Sequence, residues 1–482
     1  MDIHIGSNKT FYPEIKNNVN INNITLEPGA VLVQKSGHLN ISGVLRLMSS
    51  PYENASFLIK GGSRNIKPKN IKIEQSITSP QYNYALSSPV WGDLATRANS
   101  GITGTTYIYD NPRNNYQQLT NEKFEPGAGM VLRNPNPIVF SGKLNTGTVE
   151  VNLTRTTAGL GWNFIGNPYT AAVDWRLLEK SNVDNVFWIY NNESGVYATY
   201  NGKSGIGVGL NDPPYLIPSN HAFWVRVTQG ETQGSITFNT SATVDNTFSY
   251  LKSGNSEKYP FIKLLSFYNG NPDETAIVLI PDAGTNASDI YDNDKMFGSN
   301  KHTADVYTIS QGKPLAINAL PPEEEMTIAL GVYVRRSGGL SLQLKDYDLA
   351  ENTTVLLKDK YTGETRDLTA GEGYRAYLQI SPEIFMEQVR EEEKPVRIDD
   401  RYEIIIKTEI ATYNNQIHKP AENHASDFQV YNSEYGIVVH PGKIEAPVYK
   451  LYDITGRLLS SDKLIPDSPN IINIVNNGIY IL

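Results

Sequence analysis

Asp289, Asp292 and Asp294 stand close together in the run Asp-Ile-Tyr-Asp-Asn-Asp. Carboxylates so spaced on one loop offer hard oxygens to a divalent cation, and a structural calcium is the candidate cofactor. The glycine that an EF-hand requires is missing, Lys295-Met296 following instead, so a plain surface loop is the competing reading. Gly202-Lys203-Ser204 has the ending of a phosphate-binding loop, but Tyr197 stands where its first glycine belongs, and the reading is a tyrosine- and glycine-bearing loop. The histidines, His4, His38, His221, His302, His418, His424 and His440, are scattered, with no pair at the helical spacing of a zinc protease. There is no Gly-x-Ser-x-Gly elbow. Cysteine is absent, which excludes disulfides, thiol catalysis, zinc-thiolate sites and iron–sulfur clusters. Acidic residues are numerous, but nothing singles out a pair for glycoside hydrolysis. No residue is therefore assigned a catalytic role.

Aromatic residues are the other chemistry on offer. A pyranose ring can lay its apolar face on an indole. All five tryptophans fall between residues 79 and 250. Trp162, Trp188 and Trp224 sit in apolar stretches that read as strands, and are expected in the core. Trp91 and Trp175 flank turns or a short helix and are the candidate ligand-stacking residues.

The elements that would position these residues are strands. Residues 20–60 alternate apolar and polar residues between glycine turns, which suits a solenoid-like stack or a set of hairpins. Gly161 to Tyr169 reads as a buried strand entering an Asn-Pro turn, Val173–Lys180 as a short helix capped by Asp174, and Val186–Tyr190 as a central strand. Tyr197–Leu210 reads as a glycine-rich loop. Seven strands are predicted over Phe261–Phe267, Thr275–Ile280, Thr327–Val334, Leu340–Leu344, Thr354–Asp359, Tyr374–Ile380 and Tyr402–Thr408, with a short helix from Ser381 to about Val389. The fold class is all-β: several β-sandwich domains, jelly-roll or immunoglobulin-like, follow a short solenoid-like segment. The expected division is 1–78, 79–250, 256–412, a linker at 413–425, and a last small domain at 426–482.

Composition agrees with that class. The chain has 482 residues, long enough for several cores, and is 39% hydrophobic. Tyrosine (29) is twice as common as phenylalanine (14), which suits half-exposed strand faces. The net charge of −9, with no basic tract, argues against nucleic acid as a partner. No apolar run has the length of a transmembrane segment.

The C-terminus carries a more specific pattern. Val448-Tyr-Lys-Leu-Tyr-Asp-Ile-Thr-Gly-Arg reads as a strand and hairpin turn, and Asn477-Gly478-Ile-Tyr480-Ile-Leu482 as a second turn and a final strand. Asp453, Ile454, Gly456, Arg457, Gly478 and Tyr480 together resemble the C-terminal sorting domain of proteins exported by the type IX secretion system of the Bacteroidota. The solenoid-like run and the Gly-Trp-Asn-Phe-Ile-Gly-Asn-Pro-Tyr segment are similar to stretches in secreted proteins of the same phylum. This resemblance implies Sec export, recognition by an outer-membrane shuttle protein and cleavage by a sortase-like peptidase. It implies a secreted or cell-surface protein after signal-peptide removal. The expected signal peptide lies ahead of Met1, because Met1-Asp-Ile-His-Ile-Gly has neither a basic start nor an apolar core.

These readings converge on a non-catalytic surface or secreted protein, adhesive or binding a glycan or a host or matrix protein. The alternatives are an accessory or stalk region of a larger secreted enzyme, or a glycoside hydrolase.

Overall fold

The computed structural model describes residues 1–7, 11–119, 123–191, 195–209, 214–244, 259–284, 289–350, 352–371, 373–380, 382–385, 390–408, 428–433, 436–441, 448–453, 458–464, 470–472 and 480–481. The fold is all-β, with 3-10 turns as its described helical segments. The chain forms two compact units, Met1–Ile410 and Ala411–Leu482.

The first unit begins as a three-sided parallel stack. One side is built from Asp2–Ile5, Asn23–Leu26, Leu45–Leu47 and Ile71–Gln75, the second from Glu14–Ile15, Val31–Gln34 and Ser56–Ile59, the third from Val19–Ile21, His38–Ile41 and Ser63–Ile66. The alternation read in the sequence puts Ile24, Leu26, Leu39, Ile41, Leu45 and Leu47 inside, all nearly inaccessible to solvent. Parallel pairing aligns like residues in successive coils. Asn20, Asn40 and Asn65 lie in register, and each amide donates to the carbonyl of the coil before it, at 3.0 and 2.9 Å. Gly37 and Gly62 turn corresponding corners with φ of 74° and 75°. A Cβ on Gly37 would lie 2.4 Å from the backbone of Asn17, so the corner admits no side chain. The last coil's strand, Ile71–Gln75, is covered by the antiparallel strand Ile138–Phe140, which closes that edge.

Two sheets follow. Tyr84–Leu86, Met130–Leu132, Thr106–Asp110 and Asn115–Gln118 form an antiparallel sheet of four strands. The aromatic sheet has five strands in the order Trp162–Gly166, Ala222–Arg226, Val186–Tyr190, Tyr197–Asn201, Ile206–Val208. The stretch 197–208, expected as a loop, is thus a hairpin, whose Asn201 side chain accepts the backbone N–H groups of Lys203 and Ser204 to make the turn. The expected helix at 173–180 is instead the strand Ala172–Asp174 followed by a 3-10 turn, Trp175–Leu177. Asp174 caps that turn by accepting from the Arg176 N–H at 2.9 Å, but Glu179–Ser181 is drawn off into a strand pairing. Tertiary pairing overrides local propensity there.

Most of residues 261–408 forms a sheet of eleven strands running from Thr365–Asp367 at one end to Tyr374–Leu378 at the other. Its pairings are antiparallel except for the parallel pair of Asn271–Leu279 with Lys313–Leu320. All seven predicted strands lie in it. The sheet closes over a core of Ile262, Leu264, Val332, Leu357, Ile404 and their neighbours. Its far ends meet where Tyr374 Oη donates to Asp359 Oδ2 at 2.5 Å and Arg401 pairs with the same carboxylate at 2.7 Å. The helix expected from Ser381 is absent over its described part: Pro382–Phe385 is a strand paired with Arg390–Glu393.

In the second unit, Phe428–Ser433, Gly436–Pro441 and Asn470–Ile472 form one three-stranded sheet, and Leu458–Lys463, Val448–Asp453 and Tyr480–Ile481 another. Val439, Leu451, Leu464 and Ile472 make its core. Asp453 sits opposite Tyr480 in the last pairing. Ile454, Gly456, Arg457 and Gly478 lie outside the described residues.

Candidate functional site: an aromatic cleft

The aromatic sheet is apolar on both faces, and period-two alternation explains why. One face carries Ile165, Phe187, Ile189, Tyr200, Phe223 and Val225, which fill a core with Trp175. The other carries Trp162, Phe164, Trp188, Tyr197 and Trp224, and only part of this face is covered. Trp224 lies opposite both Phe164 and Trp188 in the strand register. Its indole meets Phe164 at 4.8 Å between ring centroids and Tyr109 at 4.7 Å, the latter edge-on.

Where the cover is incomplete, a cleft of about 380 Å³ opens. The aromatic sheet supplies Phe164, Tyr190, Tyr197 and Trp224 as one wall, and the four-stranded sheet supplies Ala85, Tyr107, Tyr116 and Val131 as the facing one. Asn83 stands at one rim, and the segment Phe297-Gly298-Ser299 closes the end. Tyr107 and Tyr116 are each 40% exposed, so their rings face the opening. None of the lining residues carries a charge. Burial pushes the Tyr197 phenol up to about 12 and raises that of Tyr116 as well, so both hydroxyls remain protonated over the physiological range and both donate and accept.

The end segment is held from behind. Asp305 Oδ1 accepts from the Gly298 N–H at 2.9 Å, and Arg335 donates to the Gly298 carbonyl at 2.5 Å. Arg335 and Asp305 pair with one another at 2.6 Å, buried in the long sheet. Tyr190 Oη and Ser299 Oγ are 2.8 Å apart, and the Ser299 N–H donates to the Gly195 carbonyl at 3.0 Å. A Cβ on Gly298 would lie 2.1 Å from that carbonyl, so glycine is what permits the approach. The cleft is preorganised on rigid elements.

Beneath it lies an ionic knot. Arg226 pairs with Asp184 at 2.7 Å and with Asp294 at 2.8 Å, and its guanidinium lies over Trp162 and Trp188. Lys313 also pairs with Asp294, at 2.6 Å. This use of Asp294 bears on the metal candidates. Asp292 accepts from the N–H groups of Ala319, at 2.8 Å, and Asp289, at 3.1 Å. Asp289 accepts from the Gly284 N–H. The three carboxylates thus serve three different sets of partners, and no group of three metal-ligating side chains occurs among the described residues.

The stacking candidates divide. Trp175 does not offer a face to a ligand: it is 0% exposed, its Nε1–H donates to Asn185 Oδ1 at 2.9 Å, and Phe187 and Phe223 flank it. In the 3-10 turn Trp175–Leu177 the indole is buried while Leu177 is exposed. Trp91 is 45% exposed. Trp188 is core as expected, but Trp224 is both core and cleft wall. Sequence reasoning missed Tyr107, Tyr116, Tyr190, Tyr197 and Phe297, which converge from two hairpins and a third, separate segment. The excess of tyrosine over phenylalanine suits half-exposed strand faces but singles out none of them.

The family model of a domain of unknown function, DUF8693, matches residues 2–376. The chain belongs to this family. Its match takes in the parallel stack, both middle sheets and every residue lining the cleft, and ends within the strand Tyr374–Leu378. No curated protein and no solved structure matches the chain.

Proposed function

We propose that this DUF8693 protein is a non-catalytic glycan-binding protein of a bacterial surface, and that the aromatic cleft takes an uncharged saccharide. The observation that carries this reading is the cleft itself: tyrosine rings and an indole edge that present apolar faces, hydroxyl and amide groups at their margins, and no charged lining residue. A sugar ring has the same two surfaces, apolar axial faces and a polar hydroxyl rim. The clamped Gly298 segment supports binding without an ordering cost. The lining offers no acid–base pair among the described residues, which favours binding over hydrolysis. Delivery to the surface by a type IX sorting domain belongs to the same proposal and is supported by the Asp453 and Tyr480 strands pairing at the end of the chain.

A neutral-glycan array probed with the full chain tests the reading. We expect a defined set of hits that Tyr107→Ala and Tyr116→Ala each weaken about tenfold, while Tyr52→Ala, at an exposed site outside the cleft, changes nothing. A blank array, or hits indifferent to both tyrosines, overturns it.

A further inference from the structure

A second depression of about 480 Å³ lies away from the cleft, at the junction of the parallel stack with the short pairing of Val90–Trp91 and Lys143–Leu144. It is built around Trp91, whose indole is the exposed one among the tryptophans. Lys143 stands directly opposite Trp91 in the register, and its ammonium lies 5.0 Å from the ring centroid. Lys67 and Lys69 flank Pro68 on the 3-10 turn that forms the other side. All three lysines are exposed, and none has an ion-pair partner among the described residues. The one acid of the depression, Asp93, is engaged by Lys123 at 2.8 Å, and that contact holds its carboxyl below the usual range. Three lysines therefore line a depression around an exposed indole, and its one carboxylate, Asp93, is shared between Lys123 and the nearby Lys143. This happens in a chain whose net charge is −9. Gly142 permits the close approach of the chain to Trp91: a Cβ there would lie 2.8 Å from the Trp91 carbonyl.

We infer that this depression is a binding site for an acidic saccharide, a pyranose bearing carboxylate or sulfate. The ring would lie on the Trp91 indole in the place the Lys143 side chain now shares, and the anionic groups would meet Lys67, Lys69 and Lys143. A lysine ammonium over an exposed indole is held only weakly, so Lys143 is readily recruited to an incoming anion. Lysines suit this role because they act as adaptable point charges rather than as planar forks. The site is independent of the cleft: it shares no residue with it and discriminates by charge, where the cleft has none.

The test is calorimetric titration of the full chain with tri-galacturonate, a sulfated heparin hexasaccharide and neutral cellotriose. We expect at least one acidic oligosaccharide to bind and to weaken steeply between low and physiological salt, as exposed charges are screened. Trp91→Ala, and separately the triple Lys67→Gln, Lys69→Gln, Lys143→Gln variant, should each lower that affinity about tenfold. Tyr116→Ala at the cleft should leave it unchanged. Because all four substituted side chains are exposed, unchanged melting curves will certify the fold. Three outcomes overturn the proposal: no acidic oligosaccharide binds, binding ignores Trp91, or cellotriose competes equally. A single-stranded oligonucleotide or a phosphatidylserine vesicle that binds through the lysines but not through Trp91 also overturns it. Loss of the neutral-glycan hits leaves this result standing, so the two sites fail separately.

Discussion

Tyr107 and Tyr116 are the residues whose removal should alter the cleft and little else, because each ring is already partly in water. Gly298 is the opposite case: its backbone, not a side chain, shapes the end wall. Gly298→Ala would drive a methyl into the Gly195 carbonyl, and we expect glycan affinity to fall about tenfold with a smaller loss of melting temperature. Lys295 and Asp273 form a fully buried pair at 2.6 Å. Lys295→Met would leave the carboxylate dry and unpaired, and chemical denaturation should show a loss of about 3–5 kcal/mol. Asp292 gives a pH signature. Burial pushes its carboxyl up to about 6, against the pull of the Ala319 and Asp289 N–H groups. An unfolded aspartate titrates near 3.9, so between those values the folded chain holds the proton more tightly, and stability falls as pH rises through about 6. Asp292→Asn should flatten this part of the melting-temperature profile. If the slope between pH 4 and 7 is unchanged, the assignment to Asp292 is wrong. At this scale little was legible beforehand. Asp289, Asp292 and Asp294 look like one cation loop in sequence, yet each is used by different partners: Gly284 for Asp289, Ala319 for Asp292, and Arg226 and Lys313 for Asp294.

Strands were legible where alternation is strict and both sides pack. The run Phe261–Phe267 was read to within one residue of its end because β-branched and aromatic residues fill it, while the strand expected at Tyr402–Thr408 in fact begins at Val396, where charged residues break the apolar pattern. The segment Val173–Lys180 misled because Asp174 caps equally well a helix or a single 3-10 turn, and only the pairing of Glu179–Ser181 with Gln233–Phe238 decides between them. The hairpin at 197–208 was hidden by its glycines. Parallel stacking of the first coils has its own test. Asn40 sits in the middle of the asparagine ladder, donating to Asn20 and accepting from Asn65. Asn40→Ala breaks both links on an exposed face, and a loss of about 1–2 kcal/mol is expected. A neutral substitution would mean that water replaces the ladder without cost.

On the scale of the molecule, the first unit holds the family match, the cleft and the Trp91 depression, while the second holds the paired strands of Asp453 and Tyr480. A chain ending at Ile410 should therefore keep the neutral-glycan hits and the acidic-saccharide affinity of the full chain. If ending the chain there abolishes either, that site depends on the second unit. The strands Val448–Asp453 and Tyr480–Ile481 were legible from their apolar and aromatic residues. The cleft was not, because its walls belong to strands far apart in the chain.

The grip of Arg335 and Asp305 on Gly298 makes the cleft a reporter on the sheet behind it. Linkage makes that relation mutual. A saccharide present at about a hundred times its dissociation constant adds about 2.7 kcal/mol to the unfolding free energy of whatever must stay folded to hold it. Under the proposed function, a protease should therefore degrade the saccharide-bound protein more slowly than the free one.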